Sequence, residues 1–497
     1  MTHVHLIGIG GTGLSAIARV LLERGYVVSG SDRALSPQAK ELAEAGVRVM
    51  TGHQAENVHG ADVVVRSSAV PDDNIEVQAA LAAGVPVLKR AEFLGEIMRG
   101  QRVIAVAGTH GKTSTSAMLA WALTNLGQDP SYIVGGTVRN LNNNAHAGQG
   151  AAFVIEADEY DRMFLGLDPD VAVVTYLEHD HPDCFPTMAD YRAAFAAFIQ
   201  RLKPGGLLLV CHDTDETRAL LQTAPEGTTA LTYGLSAGAD YRAVNVRPNR
   251  LGGFDYDAEY HGTSAPAVVV ATPVLLGSVH LHVPGEHNVR NSLAALAVLH
   301  QILPPPGILA TAAGLLPAMA KALGEFSGAG RRFDLQGEVQ GITVIDDYAH
   351  HPTEIQATLA AARARYPQRR IWAVWQPHTF SRTLTLLEAF SGSFRDADRV
   401  LVTEVYAARE KATDFDNFSA AQVVERMNHP GAQFSPTLDE TTLRLLQQLQ
   451  SGDVLLVLSA GDADQISASV LAALGEEKPA ADAKKLRESL SSQQEGK

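Results

Sequence analysis

The stretch Ala105-Val-Ala-Gly-Thr-His-Gly-Lys-Thr113 constrains this chain more than any other. It begins inside a short apolar run, Val103 to Ala107, and precedes a helical pattern, Ser116-Ala-Met-Leu-Ala-Trp-Ala-Leu123. A strand, a glycine-bearing turn, Lys-Thr and a helix together form the arrangement that binds nucleotide phosphates. Backbone N–H groups of Gly108, Thr109, His110 and Gly111, and of the helix start at Lys112, Thr113 and Ser114, face the anion. Lys112 reaches the terminal phosphates and the Thr113 hydroxyl suits Mg²⁺. Gly108 and Gly111 are closer in sequence than the glycines of the usual Walker loop. The flanking strand and helix nonetheless favour an ATP site over an ordinary strand-to-helix turn.

A chain of 497 residues exceeds one typical domain and suggests about three. With 46% hydrophobic and 19% charged residues it can bury substantial cores. A net charge of −15 argues against nucleic-acid or anionic-membrane partners, though not against an anionic small substrate held by local Arg, Lys and N–H groups. Cys184 and Cys211 offer neither a disulfide framework nor zinc spacing, which fits a reducing compartment. The N-terminal apolar stretch is broken by glycines and Arg19, unlike a signal peptide or membrane span, so a soluble cytoplasmic protein is expected.

Residues 1–99 read as a first α/β unit. Its strands are expected at Val4–Gly8, Val27–Asp32, Val47–Met50, Val63–Ser67 and Val85–Leu88, with a helix from Leu14 to Arg24. Strands alternating with helices imply a parallel sheet. Between the first strand and helix lies Gly8-Ile-Gly10-Gly11-Thr-Gly13, a complete G-x-G-x-x-G, with Asp32 ending the second strand. In that context the motif predicts a diphosphate-binding turn with a ribose-binding acid, the alternative being glycines that serve only close packing.

A central unit, 100–328, adds strands at Phe153–Ile155, Val171–Thr175 and Leu207–Val210. From Thr229 to Val283, including Val268–Ala271, short β-type runs predict a small antiparallel patch. Gly285-Glu-His-Asn288 is expected to open a helix from Val289 to His300, and Leu303-Pro-Pro-Pro-Gly307 to break the chain between helices. A third unit, 329–476, has strands at Ile342–Ile345, Ile371–Trp375, Arg399–Thr403 and Val454–Leu458, giving another doubly wound fold. The polar tail 477–497 has a disordered composition.

Phosphate binding alone defines no reaction, so acidic and histidine clusters must supply it. Glu156-Ala-Asp-Glu-Tyr-Asp161 begins where a strand ends, and strand carboxyl ends face the ligand crevice. Glu156 therefore suits Mg²⁺ bridging ATP phosphates, whereas Asp158, Glu159 and Asp161 read as a solvated acidic loop. His181, in Glu178-His-Asp-His-Pro-Asp183, is a candidate second metal ligand, with a structural histidine as the alternative. His287 and Asn288 lie at a helix start, and Asn291 shares a face with Asn288. The asparagine amides can read an adenine edge or cap the helix. Arg331 and Arg332 either reach a phosphate or form an exposed basic pair. In the third unit, Asp346-Asp-Tyr-Ala-His-His351 and Gln376-Pro-His-Thr-Phe-Ser-Arg382 follow two strand ends. They look like one side of a cleft, with Arg382 suited to a carboxylate, Asp347 to a hydroxyl or metal and His350 to an amino acid. If the strands ending at Ile345 and Trp375 are neighbours, His350 and Arg382 overhang one crevice; otherwise Arg382 could pair with a local acid such as Glu404.

These blocks, in this order, resemble the Mur ligases, the ATP-dependent amino-acid ligases of bacterial cell-wall precursor synthesis. The shared motifs are Gly8–Gly13, Ala107–Thr113, Glu156–Glu159, Asp180-His181-x-Asp183, His287-Asn-x-x-Asn291, Arg331–Phe333, Asp346–Glu354 and Gln376-Pro-His378 with Arg382-Thr383. The resemblance implies that the first unit binds a UDP-sugar, not NAD or FAD, with Gly10, Gly11, Gly13, Asp32, His53, Ser67 and Arg90 near it. It implies Thr113, Glu156 and His181 at a Mg²⁺ site and Lys112 and Arg332 offsetting phosphoryl charge. Adenine contacts fall to Asn288 and Asn291, and a ribose contact to Asp347. Tyr348, His350, His378 and Arg382 fall where the incoming amino acid meets the acyl group. The implied reaction joins L-alanine to UDP-N-acetylmuramate through an acyl phosphate, by a monomer or weak homodimer. Tyr160 and Ala349 look more like the ligases that attach a whole murein tripeptide, while Gln376–His378 and Ser381–Thr383 favour alanine. A nicotinamide-dependent oxidoreductase, or a non-catalytic nucleotide-binding regulator, leaves Lys112, Glu156 and the third-unit clusters without a role.

Overall fold

The structure is a computed structural model that describes residues 2–262, 273–303 and 312–475. The chain divides into two compact units, Met1–Gly330 and Arg331–Lys497. The tail 477–497, the run Val268–Ala271 and residues 304–307 of the proline break lie outside the described residues.

The first unit opens with five parallel strands: β1 (His3–Ile7), β2 (Val27–Asp32), β3 (Arg48–Thr51), β4 (Val63–Arg66) and β5 (Val87–Lys89). Their order is β3-β2-β1-β4-β5, so the chain reverses direction across the sheet at β1. Ligands of open α/β sheets bind at that reversal, beyond the strand carboxyl ends, and there the glycine turn 8–13 follows β1. The next helix, Thr12–Glu23, starts two residues earlier than its apolar periodicity indicates, because Gly11 serves as its N-cap.

A second sheet follows in the same unit: β6 (Arg102–Ala107), β7 (Ser131–Val138), β8 (Asn143–His146), β9 (Ala152–Glu156), β10 (Val171–Val174), β11 (Leu207–Cys211), β12 (Thr229–Gly234), β13 (Tyr241–Pro248), β14 (Phe254–Tyr260) and β15 (Val274–His280). Their order is β15-β14-β13-β12-β11-β10-β6-β9-β7-β8. The expected antiparallel patch is only partly so. β12 runs parallel to β11 and meets β13 in parallel, and antiparallel pairing is confined to β13, β14 and β15. An antiparallel pair, β7 with β8, closes the opposite edge without having been expected from the sequence. The two sheets share one apolar core. Val4, Leu6, Ile17 and Leu21 from the first pack in the same cluster as Phe153, Ile155, Phe195 and Phe198 from the second.

The second unit has six strands: β16 (Asp334–Val339), β17 (Ile342–Asp347), β18 (Ile371–Trp375), β19 (Arg399–Val402), β20 (Ala432–Phe434) and β21 (Val454–Leu458). Their order is β16-β17-β21-β18-β19-β20, parallel except for β16 against β17. β17 and β18 are therefore not neighbours, contrary to the simplest reading of the two polar clusters. β21 lies between them, with Leu458 in register with both Asp347 and Trp375. All three strands still end at one edge, because they are parallel. β16 and β20 are edge strands that the sequence pattern did not reveal. Among the described residues no helix is long and apolar enough to cross a membrane.

Candidate active site

Three strand ends converge on the glycine-bearing loop 108–111. β6 lies between β9 and β10, with Val106 in register with Glu156 and Ala107 with Val174. The loop 108–111 thus emerges between the acidic segment after β9 and the histidine segment after β10. The helix Lys112–Asn125 starts from it, so its first N–H groups point toward the crevice.

Thr113 and Glu156 come together: the Thr113 hydroxyl donates to Glu156 at 3.0 Å, and Gly135 N–H donates to the other carboxylate oxygen at 2.7 Å. Lys112 folds back on its own loop, donating to the carbonyls of Gly108 at 2.6 Å and Thr109 at 3.2 Å. Its main ionic partner is Glu159, with Nζ 2.9 Å from the carboxylate. Burial works against the Lys112 charge, but Glu159, Asp158 and Glu156 outweigh it and hold the ammonium above its usual range.

Glu159 corrects the expectation of a solvated acidic loop. It is fully buried, accepts from the Tyr191 hydroxyl at 3.2 Å and lies 3.6 Å from His181 Nε2. Only Asp158 and Asp161 fit the original reading, and Asp158 is engaged too, 3.5 Å from Arg90. His181 sits at a left-handed backbone position (φ +54°), also 3.6 Å from Asp180, with its ring edge toward Tyr160. His110 pairs with Glu178, and Thr109 bonds both the Glu178 backbone and Tyr191. Ser114 is half-buried on the first turn of the helix.

Asn288 and Asn291 are buried on one face of the helix Glu286–Ile302, which starts before the expected Val289. Asn288 donates to the Pro284 carbonyl at 2.7 Å, and Asn291 donates to the Asn288 side chain at 3.1 Å. Both amides therefore help build the helix start. Asn291 also backs the phosphate loop, since a Cβ at Gly111 (φ +81°) would lie 2.5 Å from its Oδ1. His287 is half-buried and folds against Gly285.

At the first sheet, Gly10 N–H donates to Asp32 at 2.9 Å and the Ser36 hydroxyl donates to the Gly10 carbonyl at 2.9 Å. Asp32 thus ties β2 to the turn, while Gly11 N–H closes the turn on the Gly8 carbonyl at 3.2 Å. Gly13 leaves room for the Arg90 guanidinium, which stands 1.7 Å from where a Cβ would be, so a larger residue there would have to move that side chain. Ser67 follows β4, half-buried beside Gly8. His53 lies 3.1 Å from the Ser31 hydroxyl and 3.4 Å from Glu76. Glu76, which sequence reasoning missed, is fully buried beside His5 and bonded by Ser31 and Asn57.

In the second unit, Asp346 and Asp347 end β17, both buried. Phe333 and Ala349 N–H groups donate to Asp347 at 2.8 Å each, and Ser467 donates to Asp346. Burial pushes both carboxyls up to about 6, against the pull of nearby guanidinium groups. The Tyr348 ring carries Arg331 and Arg332 over it at 5.0 and 5.3 Å, and meets the His350 ring edge-on. His350 Nδ1 lies 2.9 Å from the Tyr348 carbonyl and 3.3 Å from Glu354, which also sits 3.7 Å from Arg332. Part of this motif is local architecture: His351 and Glu354 form the capping box of the helix Pro352–Arg365.

The two clusters meet despite the intervening strand. The His350 and His378 rings are 5.9 Å apart, and His378 stacks on Tyr406. Arg382 is buried and donates to His378 Nδ1 at 3.0 Å and to the His378 carbonyl at 3.3 Å. Glu404 instead bonds Ser419, Val405 N–H and Ala420 N–H. Gln376 fastens the end of β18 to the loop after β21, accepting from Ser459 at 2.7 Å and donating to Asp462 at 2.8 Å.

Three family models match in chain order: the Mur ligase family catalytic domain over residues 3–102, the Mur ligase middle domain over 106–299, and the Mur ligase glutamate ligase domain over 331–461. A Frankia casuarinae UDP-N-acetylmuramate–L-alanine ligase is 42% identical, covering 95% of this chain and 98% of its own. The Salinibacter ruber protein of that name is 41% identical over 92% of each. Among solved structures, the Thermotoga maritima UDP-N-acetylmuramate-alanine ligase matches with a TM-score of 0.77 at 26% identity, covering 96% of this chain and all of its own. A murein peptide ligase from Psychrobacter arcticus matches at 0.70 and 27%, with the same coverage. With the glycine-bearing loop 108–111 set between the segments that carry Glu156 and His181, and with these matches spanning nearly its whole length, the chain belongs to the Mur ligase family.

Proposed function

We infer that this Mur ligase joins L-alanine to the lactyl carboxylate of UDP-N-acetylmuramate in peptidoglycan precursor synthesis, converting ATP to ADP and phosphate. The observation that carries the reading is 41–42% identity, over more than nine-tenths of the chain, to ligases of that name. Cytoplasmic location follows from where ATP and UDP-sugars are available.

The carboxylate oxygen attacks the γ-phosphorus of ATP, the bond to the bridging oxygen breaks, and ADP leaves with that electron pair. The neutral amine of L-alanine then attacks the acyl carbon, loses a proton and expels phosphate, leaving an amide. Charge neutralisation and positioning do most of this work. The loop N–H groups of 108–114 and the Lys112 ammonium hold the phosphates. His287, Asn288 and Asn291 are assigned to the adenine side. Gly10, Gly11, Gly13, Asp32, His53, Ser67 and Arg90 are assigned to the UDP-sugar. Tyr348, His350, His378 and Arg382 are assigned to the amino acid, with Arg382 suited to its carboxylate. Arg332 is assigned to a phosphate and Asp347 to a ribose.

The donor set at Thr113 suits Mg²⁺: a hydroxyl in the first turn of the helix after β6, 3.0 Å from a carboxylate at the end of β9, with an imidazole on the loop after β10. Thr113, Glu156 and His181 would hold it, and it would supply positive charge to the phosphate oxygens.

Phosphate release from ATP and UDP-N-acetylmuramate, measured with L-alanine, glycine, L-serine and the murein tripeptide, tests the reading. Release dependent on L-alanine is expected. Faster turnover with the tripeptide would move the assignment to the murein peptide ligases.

A further inference from the structure

Glu159 has no place in the roles above, yet it is the most deeply buried carboxylate beside the phosphate loop. Both oxygens lie within 2.9 Å of Lys112 Nζ, and Oε1 accepts from Tyr191 at 3.2 Å and faces His181 Nε2 at 3.6 Å. The Tyr191 hydroxyl, from the helix Met188–Ile199, lies 3.1 Å from Thr109 Oγ1, so the carboxylate is tied back to the loop itself. A buried charge persists only when paired and hydrogen-bonded, and Glu159 meets both conditions through Lys112 and Tyr191. The backbone around it is unusual: Asp161, Arg162 and His181 all occupy the left-handed region at φ of +53°, +55° and +54°. Such conformations persist where the surroundings over-determine them, and they bracket the residues that surround Glu159.

We propose that Glu159 is a positioning residue that parks the Lys112 ammonium and fixes the His181 imidazole, trading nucleotide affinity for a productive arrangement of both. The proposal rests on the ligase reading given above. Lys112 divides its three donors between Glu159 and the carbonyls of Gly108 and Thr109. An arriving phosphate can replace the two carbonyls while Glu159 stays, so the ammonium turns about a fixed partner and is not released into the crevice. The same carboxylate sits one lysine away from the phosphates and repels them. Ground-state binding is therefore weaker than Lys112 alone would give, while the ammonium is aimed at the transferring group. Interactions arranged this way raise turnover at the expense of uniform binding.

Glu159→Gln keeps the shape and removes the charge. The test is ADP affinity in metal-free buffer by calorimetry, the ADP-induced shift in Tm, and turnover with all substrates. The expected result is ADP binding about tenfold tighter and an ADP-induced Tm shift larger than in the parent. Turnover is expected to fall at least about a hundredfold, the scale of losing one aimed electrostatic contact. Glu159→Asp retains the charge and should return ADP affinity to the parent value with only partial recovery of turnover. Unchanged ADP affinity in Glu159→Gln, or a lowered Tm with an unaltered ADP shift, would overturn the proposal by making the residue merely structural. If the parent enzyme lacks alanine-dependent turnover but Glu159→Gln still binds ADP more tightly, the ligase reading fails while the assignment of Glu159 stands.

Discussion

His378 Nδ1 and the Arg382 guanidinium, four residues apart in the segment that follows β18, stand 3.0 Å from each other. A guanidinium only donates, so Nδ1 accepts and the proton of the neutral imidazole is on Nε2. His378 thereby orients Arg382 from one side, while its own ring is held between His350 and Tyr406.

Arg382→Ala is expected to raise the half-saturating L-alanine concentration roughly 10- to 100-fold, the worth of a charged hydrogen bond of about 1.5–3 kcal/mol. ATP and UDP-sugar binding should not change. Steady-state kinetics with each substrate varied in turn provides the check, with Arg382→Lys recovering little, because an ammonium lacks the two-pronged fork. A drop in Tm with normal alanine dependence would show a purely structural arginine.

Lys112→Ala and Glu156→Ala are each expected to lower turnover by at least a few hundred-fold while leaving UDP-N-acetylmuramate binding intact. The phosphate loop follows β6 in the second sheet and the Gly8–Gly13 turn follows β1 in the first. Loss of one charge acting on the transferring phosphoryl group costs roughly 3–4 kcal/mol, or a few hundred-fold in rate. Calorimetric titration with the UDP-sugar distinguishes this outcome from general unfolding.

The paired carboxyls of Asp346 and Asp347 set a pH dependence for the second unit. Both are held up to about 6 by burial, above the ordinary 3.8, so the folded state binds protons more tightly than the unfolded one. Their contribution to stability is complete below about pH 4 and is lost as pH rises to about 6, on the order of 2–3 kcal/mol for one such group. Asp346→Asn should therefore raise Tm at pH 7 and flatten the change between pH 4 and 6. Thermal melts across that range would contradict this if the parent and variant curves ran parallel.

Glu76 behaves in the opposite sense. Burial alone would raise its carboxyl, but bonds from His5, Ser31 and Asn57 prevail and bring it to about 2, below the ordinary 4.5. Its stabilisation is present above about pH 4.5 and disappears as pH falls toward 2, again on the order of 2–3 kcal/mol. Glu76→Gln should lower the stability of the first unit at pH 7 and weaken UDP-sugar binding through His53, with ADP binding retained. Equal Tm values for parent and variant at pH 7 would refute it.

The central parallel strands were readable because each is buried on both faces and so forms an unbroken apolar run, as in Val103–Ala107 or Val454–Leu458. Edge strands were not. Asp334–Val339 contains a glycine, Ala432–Phe434 is only three residues long, and the edge strand Asn143–His146 is polar; Ser131–Val138 beside it carries two glycines, and the pairing of all four depends on distant neighbours. The position of β21 between β17 and β18 was likewise hidden, because strand order is a long-range property. Glycines, lysine and strand-end acids marked the site, since their chemistry is local. Glu159 escaped notice because a charged residue among other acids looks solvated until its burial against Lys112 is known. Glu76 has no motif at all, and only the convergence of His5, Ser31, Asn57 and His53 on it betrays it.

Asn291 occupies the space that a side chain at Gly111 would need, so a residue from late in the first unit completes the phosphate loop. β6 itself gains its second neighbour only when Val171–Val174 exists, and the helix Glu286–Ile302 supplies the wall behind the loop later still. During synthesis the chain is made from its N-terminus, and the Gly8–Gly13 turn after β1 has its neighbours β2 and β4 within the first 66 residues. The Gly8–Gly13 turn therefore has its flanking strands early in the chain, and the loop 108–111 gains its backing side chain much later. A side chain far downstream, Asn291, is what closes off the space behind Gly111.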